Sequence, residues 1–231
     1  MRIGKDNAKK FKTVVTTLKG YRDEVAIKVE EDYVRLSIII SDVAMGFWTF
    51  NKSFFEEFVP VIGTYTLKSD LFAKAITSVH KEGFEISILE AQIEFNGGNK
   101  KAKVSFFEGE ERYPTPPEPA SIVNVGYKDF ADFIKTNEGL EESARFEVTD
   151  GTFRMFSKSR MMDVEETFDA QVDGTDSLSA YSFGYLSIIP KFKALFENVS
   201  IRFSTDYPLV LVCGDDDFEF KWLLGPRVEN E

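Results

Sequence analysis

The sequence holds one cysteine and one histidine in 231 residues. A lone thiol builds no disulfide framework. Cys213 lies in an apolar run, residues 209–213, where an inert buried thiol is the ordinary reading. A single imidazole, His80, rules out metal sites made from several His and Cys ligands. His80 stands beside Lys81 at a predicted helix end, which suits a surface or dipole-facing role. Counting does not exclude a Ser-His-Asp triad, but no nucleophile-elbow motif accompanies it. Gly97-Gly98 lacks a following Lys-Ser/Thr and reads as a hairpin turn, not a phosphate loop. Asp215-Asp216-Asp217 reads as a solvated hairpin tip rather than a hard-cation site. No apolar run nears membrane-spanning length and no secretory pattern opens the chain, so a soluble, intracellular protein is expected. No catalytic residue, metal ligand or cofactor is assigned.

Positive charge is also scarce: 28 Lys and Arg face 39 Asp and Glu, a net charge of -11. Nucleic-acid binding needs concentrated positive charge, so the sum argues against it. An acidic exterior around a basic channel gives the same sum, however, and the distribution decides. What the chain has in excess is phenylalanine, 23 residues, which predicts densely packed aromatic sheet faces.

Read in order, Met1 to Ile3 suits a short edge strand, and Asn7 is a plausible helix cap. Ala8, Phe11, Val15 and Leu18 then share one helical face, while Lys9, Lys12, Thr16 and Lys19 share another. From the residues alone, such a lysine stripe is a solvated helix face. Val25, Ile27 and Val29 alternate, as do Val34, Leu36 and Ile38 beyond an acidic turn, which predicts a hairpin. Ser69 or Asp70 can cap a second helix with Leu71, Ala75, Ile76 and Val79 inside and Lys74, Thr77, Ser78 and Lys81 outside. Strands follow around Phe84, Phe95 and residues 101–107.

Residues 108–119 are acidic, then proline-rich, which favours extended backbone over a packed core. They set the expected division: a domain at 1–108, a linker at 109–120 and a domain at 121–231. The second half repeats the first. Phe130, Phe133 and Ile134 mark a helix face, with Lys128 and Lys135 elsewhere and Asp129 and Asp132 diluting their charge. Val25 and Ala144, and Leu36 and Met155, are separated by the same number of positions. Leu71 and Leu186 share a second common offset with Ile86 and Ile201. Constant offsets from independent segments point to a duplicated domain. Pro190 falls inside the last predicted helix, which must start late or kink there; Lys191 and Lys193 follow it as ordinary surface lysines.

The closing stretch carries the most specific motifs. Pro208-Leu209 opens an apolar strand, and Leu224-Gly225-Pro226-Arg227-Val228-Glu229 ends the next. Upstream lies Ser179-Ala180-Tyr181-Ser182, then Tyr185-Leu186. In order and spacing these resemble motifs of the sliding-clamp family, the archaeal and eukaryotic proliferating cell nuclear antigens, and the chain is similar to a divergent archaeal-type member. Departures are visible. Gly225 stands where the family usually has Ala, Leu223 where it is often aromatic, and Ile39-Ile40-Ser41-Asp42-Val43 replaces a conserved turn.

The resemblance implies an α+β DNA clamp fold, two similar domains of antiparallel sheet with two helices each. It implies a ring of three subunits, homotrimer or heterotrimer, around double-stranded DNA, bound without regard to sequence. Lys9, Lys12, Lys19, Lys74, Lys81, Lys128, Lys135 and Lys191 would face the DNA, with Lys193 a further candidate. Val43, Tyr113, Pro208, Leu223, Gly225 and Pro226 would form a groove for the short peptides by which DNA polymerase and other partners dock. An ATP-dependent clamp loader would open the ring, and the clamp itself would do no chemistry. The setting would be the cytoplasm of an archaeal-type cell, or the nucleus of a eukaryotic one. Strands at residues 101–107 and 163–168 would form the subunit edges. Two other readings stay open: a clamp-fold interaction or checkpoint-type subunit that forms no sliding ring by itself, and an enzyme with an unrecognised carboxylate site.

Overall fold

A computed structural model describes residues 1–110, 112–116, 118–139, 142–158 and 162–227. It divides into two compact units. The first comprises Met1–Ile40, Gly46–Tyr113 and Asp215–Phe220; the second comprises Ser41–Met45, Pro114–Gly214 and the residues from Lys221 onward. Among the described residues no helix is long and apolar enough to cross a membrane.

The first unit opens with β1 (Arg2–Ile3) and α1 (Lys5–Leu18). Ala8, Phe11, Val14, Val15 and Leu18 are buried, as three-and-four spacing requires. The cap is not Asn7. The helix begins one turn earlier: the Gly4 carbonyl accepts from the Ala8 amide at 2.8 Å, and the Asn7 amide group donates instead to the Phe54 carbonyl at 2.7 Å. Then come β2 (Glu24–Val29), β3 (Tyr33–Ser41), β4 (Ala44–Asn51), a 3-10 turn (Lys52–Phe54) and β5 (Gly63–Lys68). The unit continues through α2 (Ser69–Val79), β6 (Phe84–Ile88), β7 (Gln92–Gly97), β8 (Lys100–Ser105) and β9 (Phe107–Glu108). Its strands follow two orders, β1-β6-β7-β8 and β4-β3-β2-β5-β9.

Helix α2 differs in phase from expectation. Lys68 is its cap residue, and the Ser69 hydroxyl donates to the Arg22 carbonyl instead of capping the helix. Phe72, Ala73, Ala75, Ile76 and Val79 face inward, leaving Leu71 47% exposed. The larger aromatic ring at position 72 takes the core. The phenylalanines pack as a cluster: Phe11 lies 4.9 Å from Phe50 and 5.8 Å from Phe84, ring centre to ring centre. Each such ring, fully buried, is worth about 1.5–3 kcal/mol in area terms alone.

The segment Asp215–Phe220 completes this core. Phe218 stacks on Phe50 at 4.9 Å and Phe220 on Trp48 at 5.0 Å. The acidic triplet is a turn, as expected. Asp215 Oδ1 accepts from the amides of Asp217 and Phe218, both at 2.9 Å. Asn51 pins the tip, its backbone amide to the Asp217 carbonyl and its side-chain amide to the Asp216 carbonyl. Among the described residues no cluster of three or more His, Cys, Asp or Glu could hold a metal ion.

The second unit contains β10 (Ser121–Gly126), α3 (Tyr127–Asn137), β11 (Ser143–Thr149), β12 (Thr152–Lys158), β13 (Asp163–Thr167) and β14 (Ala170–Gly174). It continues with β15 (Ser177–Ser182), α4 (Phe183–Leu186), a 3-10 turn (Ile189–Phe192), β16 (Asn198–Phe203) and β17 (Leu209–Gly214). The last strand, β18 (Phe218–Leu224), stops before Pro226. Strand orders are β14-β10-β16-β17 and β13-β12-β11-β15. The second helix expected here is a single α-turn followed by a 3-10 turn. Pro190 sits at the start of that 3-10 turn, where its missing N–H costs nothing.

The duplication is visible in strand register. In the β2–β3 hairpin Ile27 faces Leu36 and Val29 faces Val34; in β11–β12 Phe146 faces Met155 and Val148 faces Phe153. The offset is the one read from the sequence. Leu71 and Leu186 do not match in role, because one is exposed and the other fully buried.

Candidate functional site

The outer face of α1 follows from its buried one. Lys9 and Lys19 are exposed and Lys12 is half-buried. Lys9 Nζ lies 3.1 Å from Asp6, a pair exposed enough to be weak and easily displaced by a phosphate. Lys12 Nζ lies 3.2 Å from His80 Nε2, and His80 Nδ1 lies 3.0 Å from the Thr77 carbonyl. An ammonium only donates, so Nε2 accepts and Nδ1 carries the proton. This contact joins α1 to the C-terminal end of α2. Beside it stand exposed Lys74, 3.2 Å from Asp70, and exposed Lys81. The role of His80 as the link was not legible from its position in the sequence, since only packing brings the two helices together.

The second unit is different. Lys128 and Lys135 are exposed on α3, but Asp129 is exposed beside them and Asp132 holds Lys193 at 2.5 and 2.7 Å. That hydrogen bond is the main cause lowering the Asp132 carboxyl pKa. Lys193 is thus an ion-pair partner of α3. Lys191 is exposed on the 3-10 turn. On α3 itself the two lysines are matched by two aspartates.

Within the second unit a mainly apolar groove of about 250 Å³ is lined by Val43, Pro208, Leu223 and Gly225, all expected there. Met45, Pro114 and Pro116 also line it. Val43 is half exposed and Leu223 nearly buried. Tyr113 and Pro226 are not part of the lining. Tyr113 belongs to the first unit, its ring 4.6 Å from Phe47 and 4.2 Å from the Arg35 guanidinium. It is held by aromatic and cation–π contacts, and the prolines after it supply the groove wall in its place. The motif residues Val228 and Glu229 lie outside the described residues.

No family model matches the sequence. The chain is 26% identical over 250 residues to the DNA polymerase sliding clamp of Thermococcus gammatolerans, covering 97% of each. It superposes on the A. fulgidus PCNA of a complex with the C-terminal region of FEN-1 with a TM-score of 0.85, 20% identity and 100% of both chains covered. A chain of the PCNA2–PCNA3 complex from Sulfolobus tokodaii gives a TM-score of 0.85 at 19% identity, covering 99% of each. The fold is the DNA clamp fold. Within that class the sequence is similar, along 97% of its length, to archaeal proteins named DNA polymerase sliding clamp.

Proposed function

We propose that this protein is a sliding clamp, a processivity factor that encircles duplex DNA as a ring of three subunits and tethers replication and repair enzymes. The observation that carries the proposal is the joined basic face of α1 and α2, set on helices whose other faces are buried in a phenylalanine core. Lys9, Lys12 and Lys19, with Lys74 and Lys81, meet phosphates and read no base edges, so binding is independent of sequence. Lys128 and Lys135 add less, because Asp129 and Asp132 neighbour them, and Lys191 adds a single charge on the 3-10 turn. Ring closure supplies retention, and weak, screened contacts leave the protein free to slide.

The A. fulgidus clamp is bound by the C-terminal region of FEN-1, and the S. tokodaii subunits form a PCNA2–PCNA3 complex. By analogy, the groove around Val43 and Leu223 takes a short peptide from DNA polymerase or another DNA enzyme. The sheet edges take neighbouring clamp subunits, and an ATP-dependent loader opens the ring. The protein does no chemistry and works in the cytoplasm of an archaeal-type cell. The test is retention on DNA after loading. Slow loss from circular DNA and rapid escape from linear ends is expected; equal loss from both would refute encirclement.

A further inference from the structure

Tyr113, where the linker leaves the first unit, rests on one face of the β3–β4 hairpin. Its ring centre lies 4.6 Å from that of Phe47 and 4.2 Å from the Arg35 guanidinium carbon. The same guanidinium carbon lies 4.6 Å from the centre of the Tyr33 ring, and Arg35 Nε donates to the Thr49 hydroxyl at 3.2 Å. Residues two apart on a strand share a face, so Tyr33 goes with Arg35 on β3 and Phe47 with Thr49 on β4. Arg35 is therefore fixed on the sheet by a ring and a hydrogen bond, and it presents its guanidinium to the linker.

The next residue of β4 on that face, past Phe47, is Met45, which lines the groove; Val43 follows in the turn. The linker keeps pace with the hairpin. Tyr113 sits on Phe47, and Pro114 and Pro116 line the groove with Met45. We propose that Arg35 is a positioning residue for peptide docking. It is not part of the groove lining, and it sets the proline wall of the groove by holding Tyr113 to the hairpin. The proposal rests on the reading of the groove as a peptide site.

The physical reason lies in the linker. Pro114, Pro116, Pro117 and Pro119 make residues 114–119 stiff and extended, with few hydrogen bonds of their own. The course of such a segment is set by what holds its ends. Beyond the prolines the Ala120 amide donates to the Ser204 hydroxyl at 2.7 Å. Before them stands Tyr113, stacked with a cation that stays charged at every working pH. Without the guanidinium, the wall is free to swing about its far anchor. An incoming peptide must then order it, and that ordering costs affinity.

The experiment is calorimetric titration of the full chain with a synthetic peptide of the FEN-1 C-terminal region, the segment bound by the A. fulgidus clamp. The variants are R35A, R35K, Y113A, Y113F and R35A/Y113A, each shown to be folded by circular dichroism and melting. R35A should weaken the peptide about tenfold. Y113A should do the same, and the double variant should lose no more than either, because both break one contact. R35K keeps the charge but loses the planar stack and the Nε donor, so it should fall between. Y113F keeps the ring face and should bind like wild type. A merely structural role would lower the melting temperature without this pattern of affinities. A folded R35A that binds like wild type, or losses that add in the double variant, would overturn the role of Arg35. Tryptic cleavage after exposed Arg112, next to the held ring, gives a reading without peptide. It should be about tenfold faster in R35A than in wild type, and an unchanged rate would overturn the hold on the linker. A wild type that binds no peptide, with cleavage still faster in R35A, would refute the groove reading and uphold the contact that fixes the linker.

Discussion

Gly225 and Val43 are fitted to each other. The Gly225 amide donates to the Val43 carbonyl at 2.7 Å, and a Cβ placed on Gly225 would stand only 3.2 Å from Val43 Cβ. Glycine at 225, where the resemblance leads one to expect alanine, suits the close approach of Val43, whose Cβ is the nearest atom and whose Cγ1 lies 3.4 Å from the same point. Gly225→Ala should therefore destabilise the protein by about 1–3 kcal/mol through crowding. In a Val43→Gly background, which removes both contacting carbons, the added cost of alanine at 225 should largely vanish. Chemical denaturation of the two single variants and the double reads the coupling directly; an additive cycle would mean the contact is not felt.

Leu223 forms groove floor but is nearly buried, so a charged substitution would damage the fold as well as the site. Leu223→Ala is the better probe. It should weaken a polymerase-type peptide about tenfold, or about 1.4 kcal/mol, with assembly unchanged. Calorimetric titration of the peptide checks this, and unaltered affinity would place docking elsewhere.

The two units should contribute unequally to DNA binding. Replacing Lys9, Lys12 and Lys19 by Ala should lower the slope of log affinity against log salt by about 2–3. Replacing Lys128, Lys135 and Lys191 should change it less, because Asp129 and Asp132 already offset that surface. The loss should be alike for unrelated duplexes. Fluorescence anisotropy at several salt concentrations separates the two sets, and equal losses would contradict the asymmetry.

Glu94 makes an acid-sensitive element of the β7–β8 hairpin. Hydrogen bonds from Lys101 first, then Asn96, lower its pKa from 4.5 to about 2. A lowered folded-state value means its stabilising contribution is complete above the unfolded pKa and is lost as pH falls from 4.5 toward 2. Glu94→Gln should therefore flatten the melting-temperature decline over that interval and lower the melting temperature at neutral pH. A variant whose pH profile parallels wild type would show that the hydrogen bonds do not persist in solution.

Much of the scaffold was legible in the chain because alternation and repetition are local signals. The β2–β3 and β11–β12 hairpins and the turn at Gly97-Gly98 follow from residues a few positions apart. The errors arose where distant groups compete. Asn7 looked like a cap until the Phe54 carbonyl claimed it, and Leu71 looked like core until Phe72 filled the space. Tyr113 looked like a groove anchor, but Phe47 and Arg35 hold it. Lysine spacing on α1 was visible, whereas the joining of two basic helices through His80 was not, since nothing nearby in sequence links positions 12 and 80.

The assignment of residues 215–220 to the first unit has a consequence for how the protein is made. Phe218 and Phe220 stack on Phe50 and Trp48, rings translated more than half a chain earlier. During synthesis the first unit must wait, with part of its aromatic core uncovered, until these late residues leave the ribosome. Folding of the first unit thus waits on the synthesis of residues 215–220 rather than proceeding unit by unit. A nascent chain stalled before residue 215 would present that bare aromatic surface to chaperones, and cutting the protein at its linker would release no complete first half.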